Sequence, residues 1–474
     1  MSQKLYCATY LIEETMPKKP SPTQLSAHFI GIGGIGISAL SRWFLAQNWL
    51  VSGSDLVESE ITKSLRKEGV KVIIGHKKAN LPHKPSMVIY NSAIKPDNPE
   101  LLAAKAIGIN PLSYAETIGC LTKAYKTIAV AGSHGKSTTT SLTALVLIAG
   151  GFDPNVVVGT VLKEFGNKNF HFGKTKWFVL EADEWKASFL NYHPFISVVT
   201  NIDKEHLDFY KNLASVKKTF LKFLAKNSEN GFFVLNQDNK ILNSLRSPIT
   251  KIAQKKNIKI FWHSAKKNKI AAGKIKKIMK IPGEHNVSNA LAAYTVAREI
   301  LEIKEAVILK SLGSYTGAWR RMEFKGKLEI RNWKLEIFDD YAHHPTEIKA
   351  TLSAFRQKYS KNKIICVYQP HQAKRLKNLF DEFVAAFNDA DILIMTPIYE
   401  VAGRDKINSS YTSEKLAAAI LKKYPEKQIY YLNNPKNIKS AVTKILPPAT
   451  SHLSPLIIMM GAGTISEYTK LLLK

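Results

Sequence analysis

Residues 131–138 read AGSHGKST, a set of residue types that can bind phosphate. Glycines allow backbone amides to close around phosphate oxygens, Lys136 can reach the outer phosphates, and the Ser137 hydroxyl can bind Mg²⁺. An apolar stretch that predicts a strand precedes the segment, and residues 139–148 predict a helix after it. The spacing is shorter than in the usual phosphate-binding loop, because Val130 stands where that motif has glycine. We therefore predict a nucleotide site on a shortened loop.

A second glycine pattern, Gly-x-Gly-x-x-Gly, occupies residues 31–36 directly after a strand predicted at residues 27–30. Its three glycines can provide a tight turn, close approach of the backbone to a diphosphate, and close packing of helix on strand. Another predicted strand ends at Asp55, where a carboxylate that binds ribose is expected. A nicotinamide dinucleotide and a UDP-sugar both carry a diphosphate and a ribose, so this pattern fits either ligand.

Acidic, amide and imidazole side chains follow two strands predicted beyond the phosphate loop. Residues 177–180 deliver the acidic run 181–184 (EADE), and residues 196–200 end next to Asn201, shortly before His206. Ligands of Mg²⁺ are expected at the carboxyl ends of parallel strands, opposite a phosphate loop. A single acid at a strand end or a lone histidine would by itself indicate only a solvated side chain.

Residues 283–293 predict the start of a helix, because their apolar positions recur at i, i+3, i+4 and i+7. Asn286 and Asn289 share one face of this helix with His285 near its N-terminus. Ordinary helix capping and ligand binding explain these side chains equally well.

The last third of the chain has the pattern of a separate α/β unit, with strands separated by helical stretches. It begins after residue 322 and carries a polar cluster at residues 339–347 (DDYAHHPTE). The proline-containing segment 446–451 predicts a surface linker. The predicted strands are residues 364–368, 392–395, 428–432 and 456–460.

Composition limits the class of protein. A chain of 474 residues with 45% apolar residues has room for roughly three domains. Cys7, Cys120 and Cys366 are far apart, which favours a reduced compartment and offers no Cys-x-x-Cys motif. No stretch approaches ~18 consecutive apolar residues, and the N-terminal region lacks a signal-peptide core. We therefore expect a cytoplasmic protein without a membrane partner.

The formal net charge of +30 invites a nucleic-acid interpretation. The lysines are, however, spread along the whole chain, with the highest density at residues 255–280, and no aromatic-interleaved RNA-binding signature or helix-turn-helix pattern accompanies them. A lysine-rich, solvated surface with some attraction for anionic substrates explains the charge better. We expect no specific nucleic-acid partner.

Taken together, these segments resemble the Mur ligase family over about residues 28–473. Several motifs in the family's order are more specific than any one of them. The segments that carry the resemblance are residues 28–38 (HFIGIGGIGIS), 131–140 (AGSHGKSTTT), 181–184 with 188–190, 200–201 with His206, 283–293, 320–321, 339–347, 370–371 and 461–463.

The resemblance implies an α/β fold with three domains. A Rossmann-like N-terminal domain at residues 1–122, of which 1–27 form an extension, would bind the UDP-sugar. A central P-loop ATPase domain at residues 123–322 would bind ATP, and a Rossmann-like C-terminal domain at residues 323–474 would bind the amino acid. Catalytic groups would then lie on two domains, so we expect domain closure to assemble the site.

The resemblance also implies an activity and a role for each matched residue. The activity is a step of peptidoglycan synthesis in which an ATP- and Mg²⁺-dependent ligase, a monomer or homodimer, joins L-alanine to the lactyl carboxylate of UDP-N-acetylmuramate through an acyl phosphate. The implied catalytic residues are Lys136, Glu181, His206 and Arg321, and the implied metal ligands are Ser137, Glu181 and His206. The implied ATP-binding residues are Gly132, Ser133, His134, Gly135, Lys136, Ser137, Thr138, His285, Asn286, Asn289, Arg321 and Asp340. The implied UDP-sugar-binding residues are Gly31, Gly33, Gly34, Gly36, Asp55 and Ser92, and the implied amino-acid-binding residues are His343, His371 and Arg375.

Two departures from the family pattern keep alternatives open. The run 181–184 is usually followed by Ser-Asp, whereas Trp185 and Lys186 follow it here, and Gln372 replaces an arginine expected to hold the amino acid's carboxylate. A recycling ligase that adds a murein tripeptide to the same sugar nucleotide therefore remains an alternative. So does a catalytically weakened homologue that binds a UDP-sugar or nucleotide. A dehydrogenase would leave the phosphate loop at residues 132–137 without a use.

Overall fold

The computed structural model describes residues 24–400, 410–446 and 453–474. Most of the predicted extension at residues 1–27, including Cys7, lies outside the described residues, as does nearly all of the predicted linker 446–451. The chain divides into two compact units. The first comprises the residues up to Glu205, Asn212–Ala272 and Asn289–Leu312, and the second comprises His206–Lys211, Gly273–Ser288 and Gly313–Lys474.

The first sheet, in the first unit, is parallel throughout, with strand order β3-β2-β1-β4-β5. Because β1 lies between β2 and β4, the order reverses at its carboxyl end, where open α/β sheets bind ligands. The strands of this sheet are β1 (Ser26–Ile30), β2 (Leu50–Asp55), β3 (Lys71–Ile74), β4 (Met87–Tyr90) and β5 (Leu112–Ser113). Its helices are α1 (Ile35–Ala46), α2 (Glu60–Lys67), α3 (Pro99–Ala106) and α4 (Tyr114–Ala124).

The second sheet, also in the first unit, has strand order β12-β11-β10-β6-β9-β7-β8 and is parallel except for the β7–β8 pair. Strand β6 lies between β10 and β9, so its carboxyl end is flanked by the ends of both. The strands are β6 (Lys126–Ala131), β7 (Asn155–Leu162), β8 (Lys168–His171), β9 (Trp177–Glu181), β10 (Ile196–Val199), β11 (Phe232–Asn236) and β12 (Lys259–His263).

The helices that accompany this part of the chain begin with α5, which directly follows the phosphate loop. The apolar periodicity at residues 283–293 predicted α11 correctly. The helices are α5 (Lys136–Ala149), α6 (Leu207–Tyr210), α7 (Leu213–Leu224), α8 (Lys240–Asn243), α9 (Arg246–Lys255), α10 (Lys269–Ile278), α11 (Glu284–Thr295) and α12 (Glu305–Ser314).

A buried arginine joins the first two sheets within the first unit. Arg42 on α1 is 5% exposed and donates through Nη1 to Asn169 Oδ1 on β8 at 2.7 Å. Its other guanidinium nitrogens donate to Glu68 at 2.9 to 3.1 Å. Asn169 in turn donates to Ser38 Oγ at 3.0 Å. A hydrogen bond between two buried polar side chains, Arg42 and Asn169, therefore connects the first two sheets.

The third sheet, in the second unit, has strand order β13-β14-β18-β15-β16-β17 and is parallel apart from the β13–β14 hairpin. All four strands predicted in this region are confirmed, although β17 ends one residue earlier than expected. The hairpin was not predicted. The strands are β13 (Glu323–Ile330), β14 (Trp333–Asp340), β15 (Ile364–Tyr368), β16 (Ile392–Met395), β17 (Gln428–Tyr431) and β18 (Leu456–Met460).

Alternating residues of the third sheet supply two cores. Cys366 and Tyr368 of β15 pack into the core on one face, and Ile365 and Val367 pack into the core on the other. Burial on both faces explains why β15 reads as a continuous apolar run. The helices of this region are α13 (Pro345–Lys358), α14 (Ala373–Asn378), α15 (Phe380–Val384), α16 (Ser413–Lys423), α17 (Ile438–Ile445) and α18 (Ile465–Leu473). Among the described residues, no helix is long and apolar enough to cross a membrane.

Candidate active site

The phosphate loop connects β6 to α5, as the sequence predicted, and its backbone requires glycine at two positions. Gly132 has a φ of 141°, and a Cβ added there would lie 2.0 Å from Thr200 Oγ1. Gly135 has a φ of 81°, and its Cβ would lie 2.4 Å from Asn289 Oδ1. L-residues rarely adopt these backbone angles, so both glycines are needed for conformation as well as for space. Helix α5 begins at Lys136, immediately after the left-handed Gly135.

Side chains from the end of β10 brace this loop. Asn201 accepts from His134 N at 2.9 Å through Oδ1 and donates to His134 O at 2.9 Å through Nδ2. Thr200 Oγ1 also donates to His134 O, at 2.6 Å. Asp203 lies 3.1 Å from the His134 ring and donates its backbone N–H to Ser133 Oγ at 2.8 Å. These contacts hold the loop in one conformation before any ligand binds.

Lys136 is engaged by an acid at the end of β9. Its Nζ lies 2.8 Å from Glu184 Oε2 and donates to Gly132 O at 2.7 Å. Burial opposes the ammonium charge, but Glu184, Asp183 and Glu181 outweigh it and raise the pKa of Lys136 above its usual range. The lysine is therefore a fixed cation beside the loop.

Ser137 and Glu181, two of the three predicted metal ligands, lie together. The Ser137 hydroxyl donates to Glu181 Oε1 at 3.1 Å, and Gly159 N donates to Glu181 Oε2 at 2.8 Å. Register explains their proximity, because Val130 of β6 pairs with Glu181 of β9 just before the loop begins. A hydroxyl and a carboxylate are the hard oxygen donors that Mg²⁺ prefers, so this pair fits the ion.

The third predicted ligand, His206, belongs to the second unit and stands at the N-cap of α6 with a φ of 53°. Ser137 and Glu181 belong to the first unit, so the predicted ligand set is divided between the two. The role of His206 stays a prediction.

The first glycine loop connects β1 to α1. Gly33 N donates to Asp55 Oδ2 at 2.8 Å, so the acid predicted to bind ribose holds the loop itself. A Cβ on Gly34 would lie 2.2 Å from Asn91 Nδ2, and a Cβ on Gly36 would lie 3.0 Å from the Tyr114 ring. The lack of a side chain at Gly36 therefore leaves room for the Tyr114 ring from α4.

Two further residues predicted to bind the sugar nucleotide lie in this loop or beside it. Gly31 has a φ of 78°, and its Cβ would lie 3.0 Å from Asn91 Cβ. Ser92, the next residue along from Asn91, is partly exposed and follows the end of β4. The predicted sugar-nucleotide residues thus gather where the strand order of the first sheet reverses.

The predicted nucleoside residues of α11 are divided between the units. Asn289 belongs to the first unit, where its amide faces Gly135. Asn286 belongs to the second, is buried, and donates to Pro282 O at 2.7 Å. His285 also lies in the second unit, and its ring is 2.6 Å from the position that a Cβ on Gly283 would take.

Arg321 and Asp340 lie close together in the second unit. The Arg321 guanidinium lies 5.1 Å from the centre of the Tyr341 ring and 3.9 Å from Glu347 Oε1. Asp340 is 3% exposed and accepts from Met322 N at 2.8 Å. Burial raises the pKa of Asp340, and the positive charge of Arg321, which acts to lower it, does not outweigh this effect. The Asp340 carboxylate thus stabilises the local backbone.

The predicted amino-acid residues form a chain of ring contacts in the second unit. The ring centres of His343 and His371 are 5.9 Å apart, and the His371 ring stacks on Tyr399 at 5.4 Å. Arg375 Nη1 donates to His371 O at 3.2 Å. Gln372, which replaces an expected arginine, has a φ of 68° and occupies the N-cap position of α14 without a capping hydrogen bond from its side chain. His343, His371 and Arg375 are therefore adjacent, as one amino-acid site requires.

Sequence reasoning assigned no site role to three residues that shape the two loops. Glu184 is the ion-pair partner of Lys136, Asn201 braces the phosphate loop, and Asn91 packs against the first glycine loop. Glu184 and Asn201 were visible as strand-end polar residues. Asn91 carried no signal beyond its place after an apolar run.

Three family models match successive parts of the chain. The Mur ligase family catalytic domain matches residues 26–126, the Mur ligase middle domain matches 130–297, and the Mur ligase glutamate ligase domain matches 320–463. Curated relatives align along most of the sequence. The UDP-N-acetylmuramate--L-alanine ligase of Caldicellulosiruptor bescii is 38% identical over 463 residues, which cover 94% of this chain and 98% of that protein. The chain belongs to the Mur ligase family.

Further similarities agree with this family. The UDP-N-acetylmuramate--L-alanine ligase of Acetivibrio thermocellus is 39% identical over 471 residues, covering 94% of this chain and 95% of that protein. Among solved structures, the UDP-N-acetylmuramate-alanine ligase of Thermotoga maritima has a TM-score of 0.74 at 23% identity, covering 95% and 98% of the two chains. A murein peptide ligase from Psychrobacter arcticus has a TM-score of 0.67 at 20% identity, with the same coverages. The predicted three-domain Mur ligase architecture is therefore confirmed.

Proposed function

We propose that this chain is a cytoplasmic, ATP-dependent ligase that joins L-alanine to the lactyl carboxylate of UDP-N-acetylmuramate in peptidoglycan synthesis. The names of the curated relatives at 36 to 39% identity support this activity over the alternative of a tripeptide-recycling ligase. Within the proposal, residues 1–122 form the sugar-nucleotide domain, 123–322 the ATP domain and 323–474 the amino-acid domain.

The observation that carries the proposal is the arrangement at the carboxyl edge of the second sheet. Lys136 is paired with Glu184 at 2.8 Å, and Ser137 contacts Glu181 at 3.1 Å. This arrangement places a fixed cation and a pair of Mg²⁺-type oxygen donors beside a loop of backbone amides. Phosphoryl transfer requires positioning and charge neutralisation of this kind, with little covalent participation by the protein.

The reaction then proceeds in two displacements. A carboxylate oxygen of the sugar's lactyl group attacks the γ-phosphorus of ATP, the bond from that phosphorus to the bridging oxygen breaks, and ADP leaves. The uncharged amine of L-alanine next attacks the acyl carbon. The carbon–oxygen bond to phosphate breaks, phosphate leaves, and the amine proton is lost to give the amide. Lys136 and Arg321 neutralise charge on the transferred phosphoryl group.

Mg²⁺ bound at this edge would neutralise phosphate charge and bring the two anionic reactants together. Ser137 and Glu181 would hold it, and His206 is proposed as a further ligand from the second unit. Gly159 N fixes the second oxygen of Glu181, so the other oxygen keeps its orientation toward Ser137. The protein's part is to hold these donors in place.

The remaining predicted residues receive roles in the same scheme. The loop at residues 31–36 would bind the diphosphate of the sugar nucleotide through backbone amides, with Asp55 and Ser92 at its margins. We assign the ATP loop and nucleoside contacts to Gly132, Ser133, His134, Gly135, Thr138, His285, Asn286, Asn289 and Asp340. We assign the amino-acid contacts to His343, His371 and Arg375.

The test is phosphate release by the full chain with UDP-N-acetylmuramate, ATP, Mg²⁺ and a panel of L-alanine, glycine, L-serine and murein tripeptide. We expect release only when all components are present, with the largest kcat/KM for L-alanine. A larger kcat/KM for the tripeptide would establish the recycling activity instead. Absence of release above background with every acceptor, from folded protein, would contradict a ligase function.

A further inference from the structure

Two consecutive non-glycine residues, beginning two positions after the acid that pairs with Lys136, adopt left-handed backbone angles. Lys186 has φ 51° and ψ 26°, and Ala187 has φ 57° and ψ 28°. L-residues rarely adopt this conformation, and such strain persists where the surrounding structure holds it, often at ligand sites. The neighbouring Ala187 N donates to Glu184 O at 2.8 Å, which helps to hold the turn. The turn therefore fixes the direction in which the Lys186 side chain leaves the backbone.

The Lys186 side chain extends toward the N-terminal domain within the first unit. Its Nζ lies 4.6 Å from the centre of the Trp185 ring and 3.5 Å from Ser92 O. The ring contact is of the cation–π type, and the carbonyl contact is long for a hydrogen bond. Lys186 is exposed, so its ammonium keeps donors that can reach an anion.

Ser92 adjoins the first glycine loop, because the preceding residue, Asn91, packs against Gly31 and Gly34. The loop sequence at residues 31–38 contains no cationic side chain. The carboxylate of Asp55 contacts the loop, where it accepts from Gly33 N at 2.8 Å. A diphosphate on this loop would meet backbone amides and a negative charge, so a nearby cation would add to its binding.

We propose that Lys186 is a further ligand-binding residue whose ammonium binds the diphosphate of the sugar nucleotide on the loop at residues 31–36. This inference rests on the proposed function, and it assigns to the central domain a contact with a ligand of the N-terminal domain. The Trp185 ring and Ser92 O position the Lys186 ammonium beside this loop.

The experiment measures dissociation constants by calorimetry, without turnover, for UDP, UDP-N-acetylmuramate and ATP. For Lys186→Met we expect about tenfold weaker binding of both UDP and UDP-N-acetylmuramate, as for the loss of one charge-assisted hydrogen bond. ATP binding should stay unchanged, and Lys186→Arg should restore most of the loss. The control is Lys95→Met, an exposed lysine on the loop that also carries Ser92, which should change binding less than about twofold.

Three outcomes would overturn the inference. Unchanged binding of UDP in Lys186→Met would exclude the diphosphate, even if UDP-N-acetylmuramate bound more weakly. An equal loss in Lys95→Met would show that overall charge is responsible. Failure of the unsubstituted protein to bind either nucleotide would remove the inference and the proposed substrate together, whereas binding without phosphate release would contradict only the proposed reaction. Melting temperatures of all variants verify that each is folded.

Discussion

The two glycine loops of the first unit have the same position in their sheets and opposite electrostatic settings. Each follows a parallel strand, precedes a helix, and is clamped by a side chain from an adjacent strand end. Asp55 clamps the first loop by accepting from Gly33, whereas Asn201 clamps the second through both atoms of its amide. Only the second loop carries a lysine paired with a buried acid.

This difference is the one expected between a loop that binds an intact diphosphate and a loop at which a phosphoryl group is transferred. Backbone amides at a helix N-terminus suffice to hold a diphosphate that stays intact. Transfer of a phosphoryl group develops charge that must be neutralised in place, and under the proposed function the cation at Lys136 and the oxygen donors of Ser137 and Glu181 would do this. Substitutions in the two loops should therefore fail in different ways.

The largest effect is expected from Lys136→Met. Loss of the fixed cation should lower kcat by roughly three orders of magnitude, because phosphoryl transfer depends on it. The change also leaves Glu184 buried without its ion-pair partner, which costs about 3 kcal/mol or more in stability. The measurements are phosphate release and urea unfolding.

The double variant Lys136→Met with Glu184→Gln separates these two effects. Because it removes both charges, it should recover most of the lost stability and none of the activity. Recovery of activity in the double variant would mean that Lys136 acts only through the fold.

The next effect is expected from Gly135→Ala, compared with Gly151→Ala. The two glycines have nearly equal φ values of 81° and 82°, but only at Gly135 would a Cβ meet another atom, 2.4 Å from Asn289 Oδ1. Gly151→Ala should cost about 1 kcal/mol of stability through backbone strain alone and leave ATP affinity unchanged. Gly135→Ala should weaken ATP binding at least about tenfold more, measured by calorimetry.

The first loop offers the contrasting substitution, Gly34→Ala. Gly34 has an extended backbone with a φ of −66°, so alanine there is opposed only by side chains, the Asn91 amide at 2.2 Å and Ile37 Cγ2 at 3.2 Å from the new Cβ. Both side chains can shift, so sugar-nucleotide affinity should fall less than ATP affinity falls in Gly135→Ala. The reverse order would show that the first loop is the more rigid of the two.

The smallest effect concerns acid stability of the sheets that carry the loops. Burial lowers the pKa of His263, at the end of β12, from 6.5 to about 4. Between these two pH values the unfolded chain binds more protons at His263 than the folded chain does. The free energy of unfolding is therefore undiminished by His263 above pH 6.5 and decreases as the pH falls toward 4. At pH 4.5 the loss amounts to about 2.5 kcal/mol. His263→Phe should remove this loss.

The first sheet should respond at lower pH. Burial by itself would raise the pKa of Glu100, but hydrogen bonds from His28, His76 and Ser54 lower it to about 2. Its stabilisation is therefore present above pH 4.5 and is lost as the pH falls toward 2. Hydrogen exchange resolved by peptide, at pH 7, 5.5 and 4.5, should show the second sheet opening first. Earlier opening of β1 and β2 would contradict this order.

How far the sequence predicted the site depends on whether a feature is local. The phosphate loop and its flanking strand could be predicted because one segment contains the glycines, the lysine and the apolar run. The start of α5 at Lys136, three residues earlier than predicted, follows from the left-handed Gly135 acting as its N-cap. Sequence types alone do not specify that backbone angle.

Long-range pairing could not be predicted in the same way. Three acids lie at the end of β9 or just after it, and only the fold selects Glu184 as the partner of Lys136, 48 residues away. The β13–β14 hairpin was missed although β13 alternates Lys325, Lys327 and Glu329 with small or apolar residues. Such alternation is typical of a half-buried strand, so β13 could have been predicted from the sequence.

The buried Arg42 has a consequence for dividing the chain into fragments. Expressed without β8, the N-terminal domain would lose Asn169 as an acceptor and would uncover part of α1, so we expect it to aggregate or to fold only weakly. A split placed after the central domain leaves the Arg42–Asn169 contact intact. Complementation between two separately expressed pieces should therefore fail when the chain is cut between the first two sheets.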